Sequence, residues 1–145
     1  MNALQWIDDR MVRGAAAVSK ATRIGGWRLA DESITAAMAL LCLAQLMKAY
    51  HAHDTVARVI AIGGVALYAV LMHAARRRLR IDRSHGSGHV ALIRERPMRL
   101  IGLAIIILLA VFAEDLQTVV FALGFLCAVA QSAFKASVTS DQRPA

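Results

Sequence analysis

The residues of this chain whose types could bind a metal or move a proton lie in two short polar segments. His51 and His53 stand beside Asp54 in one segment, and Glu114 stands beside Asp115 in the other. Imidazole and carboxylate groups are common ligands of divalent metal ions. If the two segments are neighbours, these five residues would converge on one metal or proton site. The alternative is that both are ordinary solvated turns, because an HxH spacing is common in short polar segments.

The other reactive side chains do not predict an enzyme, since no nucleophile, base and acid can be assembled at one depth. Cys42 and Cys127 lie inside apolar runs, where thiols usually behave as small hydrophobic groups. His73 has no second imidazole at a matching depth to complete a bis-histidine haem site. His85 and His89 flank glycines, but without the strand–loop–helix context of a phosphate-binding loop. The sequence therefore predicts a non-enzymatic protein without a cofactor.

The composition predicts the elements that must position these residues. Apolar residues make up 58% of the 145 residues, which is more than an ordinary soluble domain carries. They form continuous runs over about residues 33–50, 55–75, 98–113 and 116–134. Runs of this kind are typical of transmembrane helices, although the first is short for a hydrocarbon core of about 30 Å. We predict an all-α integral membrane protein with four transmembrane helices, arranged as two tight helical hairpins.

Residues 2–23 predict an additional, amphipathic helix in the N-terminal segment 1–30. Apolar residues recur at helical spacing along one side, and charged residues occupy the other side. The apolar face consists of Leu4, Ile7, Met11, Ala15, Val18 and Thr22, opposite Asp9, Arg10, Arg13 and Lys20. Such a helix suits a position flat on the membrane surface. Gly25 and Gly26 are expected to end it.

The distribution of basic residues predicts the orientation of the spans. Five Lys or Arg residues precede the first apolar run, eight Arg lie in the central stretch 76–99, and two basic residues, Lys135 and Arg143, follow the fourth run. Only Lys48 and Arg58 lie on the other side. Because basic loops stay in the cytoplasm, we expect both termini to be cytoplasmic, in a bacterial inner (plasma) membrane. The segments are then a first hairpin at 31–75, a basic loop at 76–97, a second hairpin at 98–135 and a tail at 136–145.

The conformation of the basic loop stays open at this point. Two alternatives remain: either the second span runs on as a helix through Arg80, or the SHGSGH segment (84–89) forms a short hairpin. Pro97 suits the first turn of the third span, where its missing N–H would be unpaired anyway. The expected partners of this loop are anionic lipid headgroups rather than nucleic acid, at about 1 kcal/mol for each cation near the surface. The candidate lipid contacts are Arg76, Arg77, Arg78 and Arg80.

Small and polar residues inside the spans predict helix packing. Small residues let helix backbones approach closely where lipid supplies no hydrophobic driving force. The candidate packing residues are Ala57, Ala61, Gly63 and Gly64 in the second span and Gly124, Ala128 and Ser132 in the fourth. Gln45 and Gln131 are the intramembrane amides, and hydrogen bonding between helices is their expected role.

Three functional hypotheses follow. The first is a non-enzymatic accessory or assembly subunit that packs against copies of itself or against a larger membrane partner. The alternative is an oligomeric pore, a solute permeation protein or a membrane-disrupting effector, with Gln45, Gln131 and Ser132 lining the path. The third is a metal-handling membrane protein that uses the histidines and acids described above. The predicted spans contain no Asp or Glu, which counts against a proton- or sodium-coupled carrier.

Overall fold

The computed structural model consists of α-helices joined by short connections. It describes residues 3–85 and 88–140, and the side chains of residues 3–81, 83–84 and 95–138. The helices are α1 (Ala3–Thr22), α2 (Gly26–His51), α3 (Thr55–His85), α4 (Gly88–Val111) and α5 (Leu116–Ser140). The prediction of an all-α protein is confirmed.

Three stretches are long and apolar enough to cross a membrane. They are Gly26–His51, Thr55–Ile81 and Leu116–Val138, with 26, 27 and 23 residues. At a rise of 1.5 Å per residue each is about 35–40 Å long, which exceeds the hydrocarbon core of about 30 Å. In α4 the side chains are described only from Glu95 onward, so the fully described part of this helix is shorter than each of the three candidate spans. Three candidate spans thus support a membrane protein.

The basic segment between the second and third apolar runs is helical on both sides of residues 86–87, which lie outside the described residues. The helix of the second span continues to His85, and α4 begins at Gly88. The hairpin alternative is therefore not adopted by the described residues of SHGSGH. Pro97 lies inside α4 rather than in its first turn. A proline at this position removes one helical hydrogen bond. Helices in a membrane tolerate this loss because neighbouring groups form hydrogen bonds with the freed carbonyl.

The start of α2 also differs from the prediction. The helix begins at Gly26, after Gly25, and no side chain caps it. The backbone N–H groups of Arg28 and Leu29 both donate to the carbonyl of Gly25 instead. Asp31, at which the first hairpin was predicted to begin, lies inside α2 and forms an ion pair with Arg76 of α3.

Helix α5 lies at the centre of the bundle, in contact with α1, α2 and α4, while α3 packs mainly on α2. Paired contacts show that the helices within each of the pairs α2–α3, α2–α5 and α4–α5 run antiparallel. Between α2 and α3 the contacts are Asp31–Arg76 and Gln45–Gly64, and between α2 and α5 they are Gly26–Val138 and Leu41–Gly124. Between α4 and α5 they are Glu95–Lys135 and Gly102–Val129. The α2–α3 and α4–α5 connections therefore lie at one end of the bundle, which we call the turn end. The opposite end, which holds the acid–base contacts, is called the charged end.

Close approach between these helices depends on small residues. A Cβ added to Gly102 would overlap the side chain of Val129, and one added to Gly26 would overlap Val138. At Gly124 the added Cβ would lie 2.8 Å from Leu41 Cδ2. The buried face of α2 consists mostly of alanine, at Ala30, Ala37 and Ala44, with Ile34 and Leu41 between them. These helices pack at short distance, as small residues allow.

Helix α1 packs through a face that the sequence did not predict. Its buried residues are Asp8, Val12 and Ala15, whereas Leu4 and Val18 of the predicted apolar face are exposed. At 100° per residue the packed face is rotated by roughly 70° from the predicted face. The reason is electrostatic, because Asp8 points toward the buried Arg99 and the half-buried Arg96 of α4. An apolar strip consequently remains uncovered along the flank of α1.

Candidate functional site

The most buried polar contact joins α1 to α4. The side chain of Arg99 is 0% exposed and that of Asp8 is 2% exposed. Arg99 Nε donates to Asp8 Oδ1 at 2.6 Å, and Arg99 Nη2 donates to Asp8 Oδ2 at 2.9 Å. This is the two-bond fork in which guanidinium groups bind carboxylates most strongly.

A second arginine completes the surroundings of Asp8. Arg96 lies three residues before Arg99 and therefore on a neighbouring part of the same face of α4. Its Nε donates to Asp8 Oδ2 at 3.0 Å, and its Nη2 lies 3.7 Å from Asp9 Oδ1. The Asp8 carboxylate thus accepts three hydrogen bonds from two guanidinium groups.

The network continues from α4 into α5. Arg99 Nη1 donates to Ser132 Oγ at 3.3 Å, and Ser132 Oγ donates to Glu95 Oε2 at 3.0 Å. Lys135 Nζ donates to Glu95 Oε1 at 2.6 Å, with a side chain that is only 3% exposed. We call these side chains the charged network. It is formed by Asp8, Asp9, Glu95, Arg96, Arg99, Ser132 and Lys135 and connects three helices at the charged end.

The protonation state of Asp8 follows from its partners. Burial would raise the pKa of Asp8, but the hydrogen bonds and positive charges of Arg99 and Arg96 together outweigh burial and hold the pKa below its ordinary value. The carboxylate is therefore ionised at neutral pH. Removal of one partner of such an ion pair leaves the other charge buried and uncompensated. This cost is the main way in which a buried ion pair contributes to the stability of a fold.

Sequence reasoning missed this network. Arg99 and Lys135 were counted as topology determinants at the ends of spans, and Asp8 was not placed on either face of the N-terminal helix. A signal was present, because Glu95 and Arg99 are spaced i, i+4, and Ser132 and Lys135 are spaced i, i+3. Each pair therefore lies on one helical face. The pairing of these two faces and the role of Asp8 depend on tertiary packing.

A smaller polar contact joins α2 and α3 at the same end. Arg76 Nε donates to Asp31 Oδ1 at 2.9 Å, and Arg76 Nη2 donates to Thr35 Oγ1 at 2.6 Å. Of the predicted lipid-contact residues, Arg76 is thus engaged within the chain, whereas Arg77, Arg78 and Arg80 are exposed. The prediction that these arginines contact anionic lipid stays a prediction.

The residues proposed for metal binding lie at the turn end. His51, His53, Asp54, Glu114 and Asp115 are all exposed. Among the residues whose side chains are described (3–81, 83–84 and 95–138), no three His, Cys, Asp or Glu residues form a group that could hold a metal ion.

Asp115 has a structural role at the turn end. Its Oδ1 accepts a hydrogen bond from the backbone N–H of Thr118 at 2.7 Å, so that it caps the N-terminus of α5. Hydrogen bonds from Thr118 also lower the pKa of Asp115.

The predicted packing residues divide between internal contacts and open surface. Ala61, Gly124 and Ser132 are buried, Ala57, Gly64 and Ala128 are half-buried, and Gly63 is exposed. Gly124 lies against Leu41 of α2, and Gly64 lies against the Gln45 side chain. A Cβ at Gly63 would meet nothing within 4 Å.

The three residues proposed to line a pore are not grouped around one path. Gln45 packs on Gly64 between α2 and α3, Ser132 is hydrogen-bonded between α4 and α5, and Gln131 is half-buried on α5. The pore hypothesis therefore stays a prediction without a structural argument in its favour.

Comparison with known proteins adds no further information on the site. No protein-family model matches the chain, and no curated protein or solved structure matches it significantly.

Proposed function

We propose that the chain is a small bacterial inner-membrane protein that crosses the membrane four times, as two helical hairpins with both termini in the cytoplasm. Helix α4, packed antiparallel on α5, supplies the fourth span. The charged end holds the acid–base contacts and the basic residues of α3, and this end faces the cytoplasm because cytoplasmic segments carry the excess of Lys and Arg. A reporter enzyme that is active only in the periplasm should be inactive when fused to the C-terminus. Periplasmic activity of that fusion would contradict the orientation.

Within the membrane the protein acts as a non-enzymatic accessory or assembly subunit, which packs against copies of itself or against a larger membrane protein. The observation that carries this proposal concerns Gly63. Among the described glycines of α2 to α5, Gly26, Gly64, Gly102 and Gly124 each lie against another helix of the chain, whereas Gly63 on α3 faces open space, as Gly14 does on α1. Glycine inside a helix costs about 1 kcal/mol relative to alanine. That cost is offset where a second backbone approaches, so the open position at Gly63 suits a helix of a partner.

The surroundings of Gly63 agree with this proposal. Only 6% of the most apolar stretch of α3 is buried in the chain, compared with 28% for α2 and 33% for the stretch in α5. Val59, Ile62, Leu67 and Val70 are exposed on α3. These side chains provide apolar surface on both sides of the glycine, where lipid or a neighbouring helix would lie.

The proposal can be tested by co-purification after extraction with a mild detergent. Gly63→Leu adds a bulky side chain at a position with nothing within 4 Å, so the bundle itself should be retained. It should reduce the amount of co-purified partner or of oligomer. The matched control is Ala104→Leu, at an exposed position of α4. A wild-type protein that is extracted alone as a monomer, or a Gly63→Leu variant that behaves like Ala104→Leu, would contradict the assignment.

A further inference from the structure

The hairpin of α2 and α3 carries a strip of exposed side chains on each helix. On α2 the exposed residues recur at intervals of three and four, which places them on one side of the helix. This α2 strip consists of Glu32, Thr35, Ala39, Leu43, Leu46 and Tyr50. A second set of exposed residues lies within roughly 30° of a common line along α3. This α3 strip consists of Val59, Ala66, His73 and Arg77.

Both strips lie on the same face of the hairpin. Arg76 Nη2 of α3 donates to Thr35 Oγ1, which belongs to the α2 strip. His73 precedes Arg76 by three residues and therefore borders it on the surface of α3. The opposite side of α3 is turned toward α5, because the ring of Tyr68 contacts the ring of Phe121 there. The two strips thus form one continuous surface that is two helices wide.

An acid and two bases on this surface lie at the same depth. Asp31 of α2 pairs with Arg76 of α3 at 2.9 Å. Because the two helices are antiparallel, Glu32 is then level with about residue 75 of α3. This level lies between His73 and Arg77 of the α3 strip. His73 lies within a candidate span, where an ionisable side chain that faces lipid is costly unless a polar group pairs with it.

The Glu32 carboxylate is accessible for such a pairing. Its side chain is 68% exposed, and it approaches the exposed Arg28 of its own helix at 4.0 Å. An exposed i,i+4 contact of this kind contributes little. Glu32 is therefore able to pair with a cation of another molecule.

A second copy of the chain supplies cations at the required depth. If both termini of each copy are cytoplasmic, two copies can be related by a two-fold axis along the membrane normal. Each residue then keeps its depth, so that Glu32 of one copy is level with His73 and Arg77 of the other copy. A two-fold interface is self-complementary, and the same contact therefore forms twice.

The charges also determine which helices meet. Pairing of α3 with α3 of the second copy would place the two Arg77 side chains at one depth, where like charges repel. Pairing of α2 with α3 instead brings Glu32 to Arg77. By the register of the Gln45–Gly64 contact, it also brings the exposed Leu43 level with Ala66. A small residue at this position lets the leucine side chain approach the α3 backbone closely.

We propose that two copies of the chain associate through the α2 strip and the α3 strip, with α2 of each copy packed on α3 of the other. Glu32 of each copy pairs with His73 and Arg77 of the other copy at the charged end. Gly63 borders the α3 strip. This inference rests on the proposed function, from which it takes the orientation of the spans and the packing of the protein against copies of itself.

Disulfide cross-linking between differently tagged full-length copies in native membranes tests the interface. Cys42 and Cys127 are replaced by serine, and one copy then carries Leu43→Cys while the other carries Ala66→Cys. Each copy has a single cysteine, so a disulfide that joins the two tags forms only between these positions. Oxidation should give this product. The matched control replaces Ala66→Cys by Ile101→Cys, which is exposed on α4 at about the same distance from the turn end, and should give none.

Charge substitutions test the pairing, with the dissociation constant of the dimer measured by energy transfer between labelled copies in liposomes. Arg77→Glu should weaken the dimer roughly tenfold, because two symmetric ion pairs are replaced by like charges. Adding Glu32→Lys should restore the affinity by reversing both charges. The matched control is Arg78→Glu, which is also exposed but lies about 100° further around α3 and outside the strip. It should leave the dimer unchanged.

Several outcomes would overturn the proposal. An equal yield of cross-linked product with Ile101→Cys would show random collision. Equal weakening by Arg77→Glu and Arg78→Glu would show a general effect of charge, such as attraction to anionic lipid. Co-purification of a larger membrane protein without any disulfide between the tags would exclude the second copy but leave the proposed function intact. A wild-type protein that is extracted alone as a monomer would contradict both.

Discussion

Replacement of Asp8 by asparagine should destabilise the bundle more than replacement of its partner Arg99 by glutamine. The reason is that Arg99 belongs to α4 inside the bundle and stays buried when its counter-ion is lost. Removal of one partner of a buried ion pair costs about 3–5 kcal/mol. Because the carbonyl oxygen of asparagine still accepts one hydrogen bond, we expect a loss of about 3 kcal/mol in the free energy of unfolding for Asp8→Asn.

Arg99→Gln leaves a different residue without its partner. Asp8 lies on α1, which can move away from the bundle and return the carboxylate to water. The loss is then limited to the contacts that dock α1, chiefly the burial of Val12 and Ala15. Burial of a valine and an alanine is worth about 2 kcal/mol. In the double variant neither charge is present, and we expect it to lose about 3 kcal/mol in the free energy of unfolding. This loss is smaller than the sum of the two single losses, and the difference is a coupling energy of about 2 kcal/mol between the two residues.

Unfolding in mixed micelles with increasing dodecyl sulfate, followed by far-UV circular dichroism, gives the four free energies of this cycle. The control cycle uses Asp31 and Arg76, whose side chains are 50% and 35% exposed. Its coupling should stay below about 1 kcal/mol, as for exposed pairs. Additive losses in the Asp8–Arg99 cycle, to within about 0.5 kcal/mol, would refute the reasoning, since independent sites add to that accuracy.

Further predictions concern helix packing, capping and pH. Gly124→Ala should cost about 1–3 kcal/mol of unfolding free energy in the same assay, because the new Cβ would lie 2.8 Å from Leu41 Cδ2. The matched Gly63→Ala variant of monomeric protein should lose nothing, and a gain of up to about 1 kcal/mol is expected from helix propensity. Asp115→Ala should cost about 1 kcal/mol by removal of the cap of α5, and Asp115→Asn less, since asparagine also caps. Asp8 has a lowered pKa in the folded state, so its contribution is complete above its unfolded-state pKa of about 3.9 and is lost as the pH falls through the lower folded value. Docking of α1 can be followed by the distance between spin labels on cysteines at the exposed positions Ala17 of α1 and Ala110 of α4, after replacement of Cys42 and Cys127 by serine. It should be constant between pH 8 and pH 5 and weaken below about pH 4; weakening near pH 6 would contradict this assignment.

The helical class and the apolar stretches could be predicted from the sequence because they depend on local composition. Continuous apolar runs predicted the helices, and the polar segments at 51–54 and 114–115 predicted the connections between them. Boundaries were less predictable. Gly26, the first residue of α2, lies so close to Val138 of α5 that a Cβ would overlap it, and this neighbour cannot be identified from the sequence around Gly26.

The charged network could not be predicted for the same reason. Hydrophobic periodicity places α1 by its apolar face, but the buried pair between Asp8 and Arg99 turns a different face toward the bundle. A contact between residues separated by 91 positions depends on which helices are neighbours. Spacing within α4 and α5 indicated only that Glu95 with Arg99, and Ser132 with Lys135, share a face.

The central position of α5 has a consequence for biosynthesis. Helix α5 contacts α1, α2 and α4, yet it follows all three in the sequence and is synthesised after them. Until α5 has been synthesised, the alanine face of α2 and the cations of α4 lack the neighbour that covers them in the folded chain. A nascent chain interrupted before Gly124 would therefore be recognisable as unassembled.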